Sequence, residues 1–240
     1  MNRTIRRFSG SRIAALGPHA PGERVDAGAL LRAVRRAGRT SLSEYESKQV
    51  LALHDIPCVE TCLAHSEDEA VLAAAQLGFP VTLKLHSHTL GGLPAAGGGR
   101  EALRDEAGVR QGWQQIRQAV VETHGRQHFL GVTVQPTVAG DGREFFLQGS
   151  CDLKSGPVLS YGLVRTVPPG ESGPADPGAE IEWSTAELPA IAATQFDRLL
   201  ENFNRLLAAH PDIREIDLRP LVIASGQLLG LGARILLVAP

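Results

Sequence analysis

Lysine is scarce in this chain of 240 residues: Lys48, Lys84 and Lys154 stand against twenty-one arginines. Ordinary surface charge is therefore carried by arginine, and each lysine calls for its own explanation. Cysteine is equally rare. Cys58, Cys62 and Cys151 are an odd number, which argues against a disulfide framework and fits reduced thiols in a cytoplasmic compartment. Cys58 and Cys62 are four residues apart without a second pair of ligands, so they carry little zinc signal. No run approaches about twenty apolar residues, and no charged-then-apolar leader with a small-residue cleavage site opens the chain, so neither a membrane span nor secretion is expected.

Acid is missing where base is concentrated. Residues 1–40 hold nine arginines with only Glu23 and Asp26 to offset them, although the whole chain is close to neutral at −2. This segment reads as a basic flexible extension that closes on a short helix over roughly 27–37. An Arg-rich, acid-poor start also suits an organellar leader or a nucleic-acid contact. No aromatic interleaving or basic stripe continues beyond it, so nucleic acid is not the expected partner.

From Ser41 onward the punctuation is regular. SLSEYESKQVLALHDIP starts with a capping-box pattern at Ser41 or Ser43 and stops at Ile56–Pro57, which predicts a helix. A short strand is expected over 57–61. A helix over 70–77 should then be capped from Ser66 and stopped by Gly78. A helix over 106–124 places Val109, Trp113, Ile116 and Val120 on one face. Strand-like runs cover 130–138, 143–150 and 157–164; a Pro/Gly-rich loop over 168–178 leads to a helical stretch at 187–209, then to IREIDLRPLVIA and QLLGLGARILLV. The expected class is α/β or α+β with a partly antiparallel sheet.

GFPVTLKLHSHTL, residues 78–90, puts Lys84 inside an apolar run. Plain alternation would turn Val81, Leu83 and Leu85 to a core and Thr82, Lys84 and His86 outward, with the ammonium reaching water on its flexible stem. His86 and His88 read most simply as strand-end residues. GGLPAAGGG, residues 91–99, reads as a loop whose backbone N–H groups suit a phosphate cradle as well as a plain linker.

Taken in order, LSEYESKQVLALHDIP, GFPVTLKL, VTVQPTV with GREFFLQGSCD, SGPVLSYGL, and EIDLRPL with LGARI resemble the ATP-grasp domain of NDP-forming acyl-CoA synthetases, relatives of the succinyl-CoA synthetase beta subunit. The resemblance spans residues 41–238. It implies a two-lobed ATP-grasp-like α+β fold with mixed sheets, a first lobe over 41–129 carrying the glycine-rich loop and a second over 130–240. ATP or another nucleoside triphosphate is the implied cofactor. Lys84 matches a lysine that reaches its phosphates, a role a flexible point charge suits. Gly97 and Gly98 would lie in the loop above it, Gln135 to Val138 would form the hinge whose backbone reads the base, and Glu144 matches a glutamate near the nucleotide.

Departures from the family pattern fall on the metal. Arg219, in Glu215-Ile216-Asp217-Leu218-Arg219-Pro220-Leu221, stands where the family's asparagine binds magnesium, and Gly232 replaces its aspartate. No metal site is therefore expected, and Arg219 is a candidate counter-charge for phosphate. Glu215, Asp217 and Arg219 should share one strand face, with Gly232 and Arg234 beside them.

The resemblance implies an ATP-grasp subunit of an ADP-forming acyl-CoA synthetase, acting with a CoA-binding partner subunit and atypical or inactive at its metal site. The alternative is a non-catalytic nucleotide-binding, regulatory or scaffold subunit of such a complex. A third reading makes the basic extension the functional part.

Overall fold

In the computed structural model of the chain, the structure describes residues 26–90, 99–140, 143–152, 156–164 and 190–239. The first four α-helices begin where a short polar side chain can accept from an otherwise unsatisfied N–H. Asp26 caps α1 (Ala27–Arg36) and Ser66 caps α3 (Glu67–Leu77). Ser43 and Glu46 form a reciprocal capping box on α2 (Glu44–Ala52), and Asp105 caps α4 (Glu106–His124). The last helix, α5, spans Ala190–Ala209. Residues 1–25 of the basic extension over 1–40, the loop at 168–178 and the start of the predicted 187–209 helix lie outside the described residues.

Two sheets organise the chain. The first has strand order β1-β4-β2-β3, built from β1 (Cys62–Ala64), β2 (Val81–His86), β3 (Gly99–Leu103) and β4 (Gly131–Pro136). Helices α3 and α4 cover one face, packing Ala70, Ala74, Val109, Trp113 and Ile116 on Val81, Leu83, Val132 and Val134. The second sheet has order β6-β5-β7-β8 with β9 also paired to β7. Its strands are β5 (Glu144–Asp152), β6 (Gly156–Val164), β7 (Ile213–Ala224), β8 (Gln227–Gly230) and β9 (Ala233–Leu237). All ladders between these strands are antiparallel.

A larger core lies on the second sheet. Phe196, Phe203 and Leu206 of α5 pack with Phe145, Leu147, Ile216 and Ile235, and so do Leu31 and Val34 of α1 and Val50 and Leu51 of α2. The opening helices thus belong to the core of the second sheet, although the strands of the first sheet come next in sequence. Leu42 N–H donates to the Ile235 carbonyl and Ile235 N–H donates to Ser47 Oγ, which fixes α2 along β9.

Three expectations change. The strand expected at 57–61 begins instead at Cys62, because Cys58 and Val59 pair with Gly230 of the second sheet and only the residues after them run beside β4. Gly99 belongs to strand β3, opposite Lys84, rather than to the preceding loop. The final apolar run divides at Leu231–Gly232: β7 pairs with β9 up to Leu218 and with β8 from Leu221, and Pro220 between them has no N–H to offer a ladder.

Gly131 opens β4 at φ +136°, and a Cβ there would collide with the Ala64 carbonyl oxygen. Gly131→Ala should therefore cost about 3 kcal/mol or more, combining left-handed strain with a backbone clash, as read from urea unfolding midpoints.

Candidate functional site

Lys84 does not point into water. Thr82 and His86, expected to face outward with it, are buried, and Lys84 is half-buried beneath the side chains of α2. Its ammonium donates to Glu44 Oε1 at 3.0 Å and to the Leu231 carbonyl at 2.8 Å, so one lysine ties the first sheet both to α2 and to the turn between β8 and β9.

Glu44 serves a second lysine. Lys48, one helical turn on, places its ammonium 2.8 Å from Glu44 Oε1, 2.7 Å from Gln135 Oε1 and 3.0 Å from Thr61 Oγ1. Lys48 is only 5% exposed. Burial pulls its ammonium below the ordinary lysine range, Glu44 pulls it back and Lys84 pushes it further down. All three of its donors have acceptors. Burial would by itself raise the Glu44 carboxyl, but Lys48 and then Lys84 outweigh it and hold that group below the usual carboxylate range.

Gln135, a predicted hinge residue, is thus buried at the end of this chain of contacts, with its side-chain oxygen taken by Lys48. Val138 follows β4, partly buried. Glu144 opens β5 between Val164 and Val222 of its neighbours. Thr133 lies directly opposite Lys84, and its buried hydroxyl has no hydrogen-bond partner among the described residues. Gly97 and Gly98 lie outside the described residues. His86 is buried against His65 and His88, with ring centroids 6.1 and 5.4 Å away, and burial above all pushes it down to about 4, so it is neutral at pH 7.

Arg219 reaches the same turn from the second sheet. Its N–H donates to the Gly232 carbonyl, and the Leu231 N–H donates to the Pro220 carbonyl. Its guanidinium Nε sits 2.6 Å from Asp217 Oδ1 and lies over the Phe146 ring, 5.4 Å from the centroid. Next to it Arg234 pairs with Glu215 at 3.0 Å and approaches Asp217 at 3.8 Å. The acids and arginines of β7 and β9 therefore meet on one face, as their spacing predicts.

A model of the ATP-grasp domain matches residues 33–164, more than half of the chain, and the chain belongs to that family. The 4-hydroxybutyrate–CoA ligase (ADP-forming) of Nitrosopumilus maritimus is 24% identical over 221 residues, covering 85% of this chain and 31% of the ligase. Subunit beta of acetate–CoA ligase II (ADP-forming) from Pyrococcus furiosus is 28% identical over 134 residues, 56% of each chain. Subunit beta of acetate–CoA ligase I from the same organism is 23% identical, covering 84% of this chain and 94% of that subunit. The chain thus spans about a third, about half and nearly all of these relatives in turn. Among solved structures, the dinucleotide-forming acetyl-coenzyme A synthetase 1 of Candidatus Korarchaeum cryptofilum, in complex with coenzyme A and Ca-AMPCP, matches with a TM-score of 0.73. That match has 25% identity over 87% of this chain and 98% of that one. No helix among the described residues is long and apolar enough to cross a membrane.

The residues at the family's cation position do not fit a divalent cation. Glu215 and Asp217 are each engaged by an arginine, and Arg219 adds positive charge where a ligand would be needed. Gly232 offers no donor and no room for one, since a Cβ there would lie 2.5 Å from the Arg219 carbonyl oxygen.

Glu44, Lys48, Thr61 and Thr133 were not among the sequence candidates. A signal for two of them was present: Glu44 and Lys48 are an acid and a rare lysine at i,i+4 spacing on a predicted helix. Because its carboxyl is held low, Glu44 contributes stability that is complete above the ordinary carboxylate pKa and is lost as pH falls through its depressed folded value. Glu44→Gln should cost about 3 kcal/mol at pH 7 by leaving Lys48 buried without a counter-charge. That difference should hold down to about pH 5 and shrink below it, where the wild type loses the same charge, as followed by urea unfolding across pH.

Proposed function

We propose that the chain is the ATP-grasp subunit of an ADP-forming acyl-CoA synthetase, acting with a partner subunit that holds the CoA-binding domain, and that it binds nucleotide atypically. The observation that carries this reading is the convergence of Lys84 and Arg219 on the Leu231–Gly232 turn, from two sheets and 135 residues apart. The Lys84 ammonium lies at that turn while Arg219 meets it through its backbone, and a flexible ammonium with a guanidinium on the adjoining strand suits a polyphosphate that enters between the sheets. In this reading Lys84 and Arg219 contact phosphate, Gly97 and Gly98 cradle it, Gln135 to Val138 border the base, and Glu144 lies near the nucleotide. ATP or another nucleoside triphosphate is the ligand, an acyl acid and coenzyme A are the co-substrates, and the compartment is the cytoplasm.

The engaged acids and the crowded Gly232 favour a second reading, a nucleotide-binding regulatory subunit of the same kind of complex. Both readings share the nucleotide and differ in turnover. Neither enlists the basic extension, and two of its arginines already serve the fold: Arg39 pairs with Glu46 at 2.6 Å and Arg35 with Asp212 at 3.4 Å.

Isothermal titration with ATP should show binding that magnesium changes little, and Lys84→Ala should weaken it by about 1.5–3 kcal/mol, the size of a charged hydrogen bond. Unchanged affinity in that variant would return Lys84 to a purely structural role.

Acyl-CoA formation from ATP, acetate and coenzyme A should be absent for the isolated chain and appear only with its partner, recovered by co-purification from the source cell. Complete turnover by the chain alone would refute the need for a partner. A partnered complex that binds ATP without turning over would establish the regulatory reading.

A further inference from the structure

Glu44 lies at the centre of the site and is as exposed as Lys84, yet it carries the wrong charge to contact phosphate. Its carboxylate is shared: Oε1 is 2.8 Å from Lys48 and 3.0 Å from Lys84, and Oε2 is 3.3 Å from Lys84. Lys48 spends its remaining donors on Thr61 and Gln135, inside the first sheet's polar face. Lys84 spends one more on the Leu231 carbonyl. An ammonium has three donors, and the two Glu44 oxygens and the Leu231 carbonyl engage all three, so a phosphate must take over a donor that one of them now holds. The Lys84 side chain is 26% exposed, whereas the Lys48 side chain is 5% exposed.

We infer that Glu44 is the positioning residue for nucleotide binding: held in place by the buried Lys48, its carboxylate aims the Lys84 ammonium at the Leu231–Gly232 turn, where an arriving phosphate takes over the donor now held by the Leu231 carbonyl. This rests on the reading of Lys84 as a phosphate contact. Lys48 is the fixed member of the set because its other two partners are buried or partly buried side chains, while the other partner of Lys84 is a loop carbonyl. The low-lying carboxyl of Glu44 agrees with the geometry, since the positioning group must stay ionised throughout the neutral range. An arriving phosphate replaces the Leu231 carbonyl or the longer contact to Glu44 Oε2, and the bond from Lys84 to Glu44 Oε1 persists in either case. No bond is made or broken in this step beyond hydrogen bonds.

The test compares ATP with adenosine, which lacks phosphate, by calorimetric titration of the full chain. Glu44→Gln should weaken ATP binding about tenfold or more and leave adenosine binding unchanged, and the Glu44→Gln/Lys84→Ala double variant should bind ATP no more weakly than Lys84→Ala. Should Glu44→Gln fail to fold by circular dichroism, Glu44→Gln/Lys48→Met removes both buried charges together and carries the same expectation. Equal losses for ATP and adenosine would show that Glu44 only supports the fold. Unchanged or tighter ATP binding would show that it merely competes with phosphate for Lys84. Additive losses in the double variant would show that it does not act through Lys84. In those three cases the phosphate reading of Lys84 survives if Lys84→Ala alone weakens ATP binding. If Lys84→Ala leaves ATP binding intact, that reading fails and the role of Glu44 falls with it.

Discussion

One carboxylate shared by two ammonium groups decides how the two sheets of this protein stand against each other. Glu44 lies on α2, whose apolar side packs into the core of the second sheet, while both of its lysine contacts lead to residues of the first sheet. Lys48 carries the interaction to Gln135 on β4, and Lys84 returns it from β2 to Leu231. A buried ion pair of this kind is a poor source of net stability, because desolvating its members costs several kcal/mol, but removing one member is severe. Its value is directional. The contacts are satisfied in one mutual placement of α2, β2, β4 and the Leu231 turn, so the polar cluster specifies an arrangement that two separate hydrophobic cores would leave loose.

The second sheet presents the opposite balance. On its open face, acids and arginines neutralise one another near the surface, with Arg219 about half exposed, and such pairs add little stability. Their effect is on what the face accepts. Two carboxylates already held by guanidinium groups have little negative charge left for a cation, whereas the outer edges of those guanidinium groups remain suited to oxyanions. Gly232 reinforces this through shape, since the Arg219 carbonyl fills the space that a side chain would need. The electrostatics and the backbone path therefore agree: neither the paired carboxylates nor the crowded Gly232 suits a divalent cation.

Much of the fold was legible because it rests on local rules. A capping serine and a glycine stop located α3, and apolar periodicity located α4, to within a few residues, and the two-residue period put Glu215, Asp217 and Arg219 on one face. What sequence did not convey was which core each element joins. The apolar positions of α2 are the same whether it covers the first sheet or the second, and only its bonds to β9 settle the matter. Alternation misled at β2 for a related reason. It assigns Thr82 and His86 to an outer face, but a helix from elsewhere in the chain can lie on that face, and no local pattern reports it. Lys84 was recognisable as unusual, whereas its partner Glu44 looked like an ordinary first-turn acid that favours a helix N-terminus.

The scarcity of lysine now has a physical account at the two lysines the structure describes. Both belong to the same cluster, and both exploit the compactness of the ammonium group. Two of them fit around Glu44 Oε1 at 2.8 and 3.0 Å while each sends further donors in other directions, toward side chains for Lys48 and a backbone carbonyl for Lys84. A guanidinium presents its donors in one plane and prefers to take both oxygens of a carboxylate, as Arg39 does with Glu46. An arginine at either position would claim Glu44 for itself and leave the other cation without a partner. Arginine thus suffices where a single guanidinium answers an acid, at two points for Arg39 and at one for Arg219 and Arg234, and lysine is kept where one acid must hold two cations.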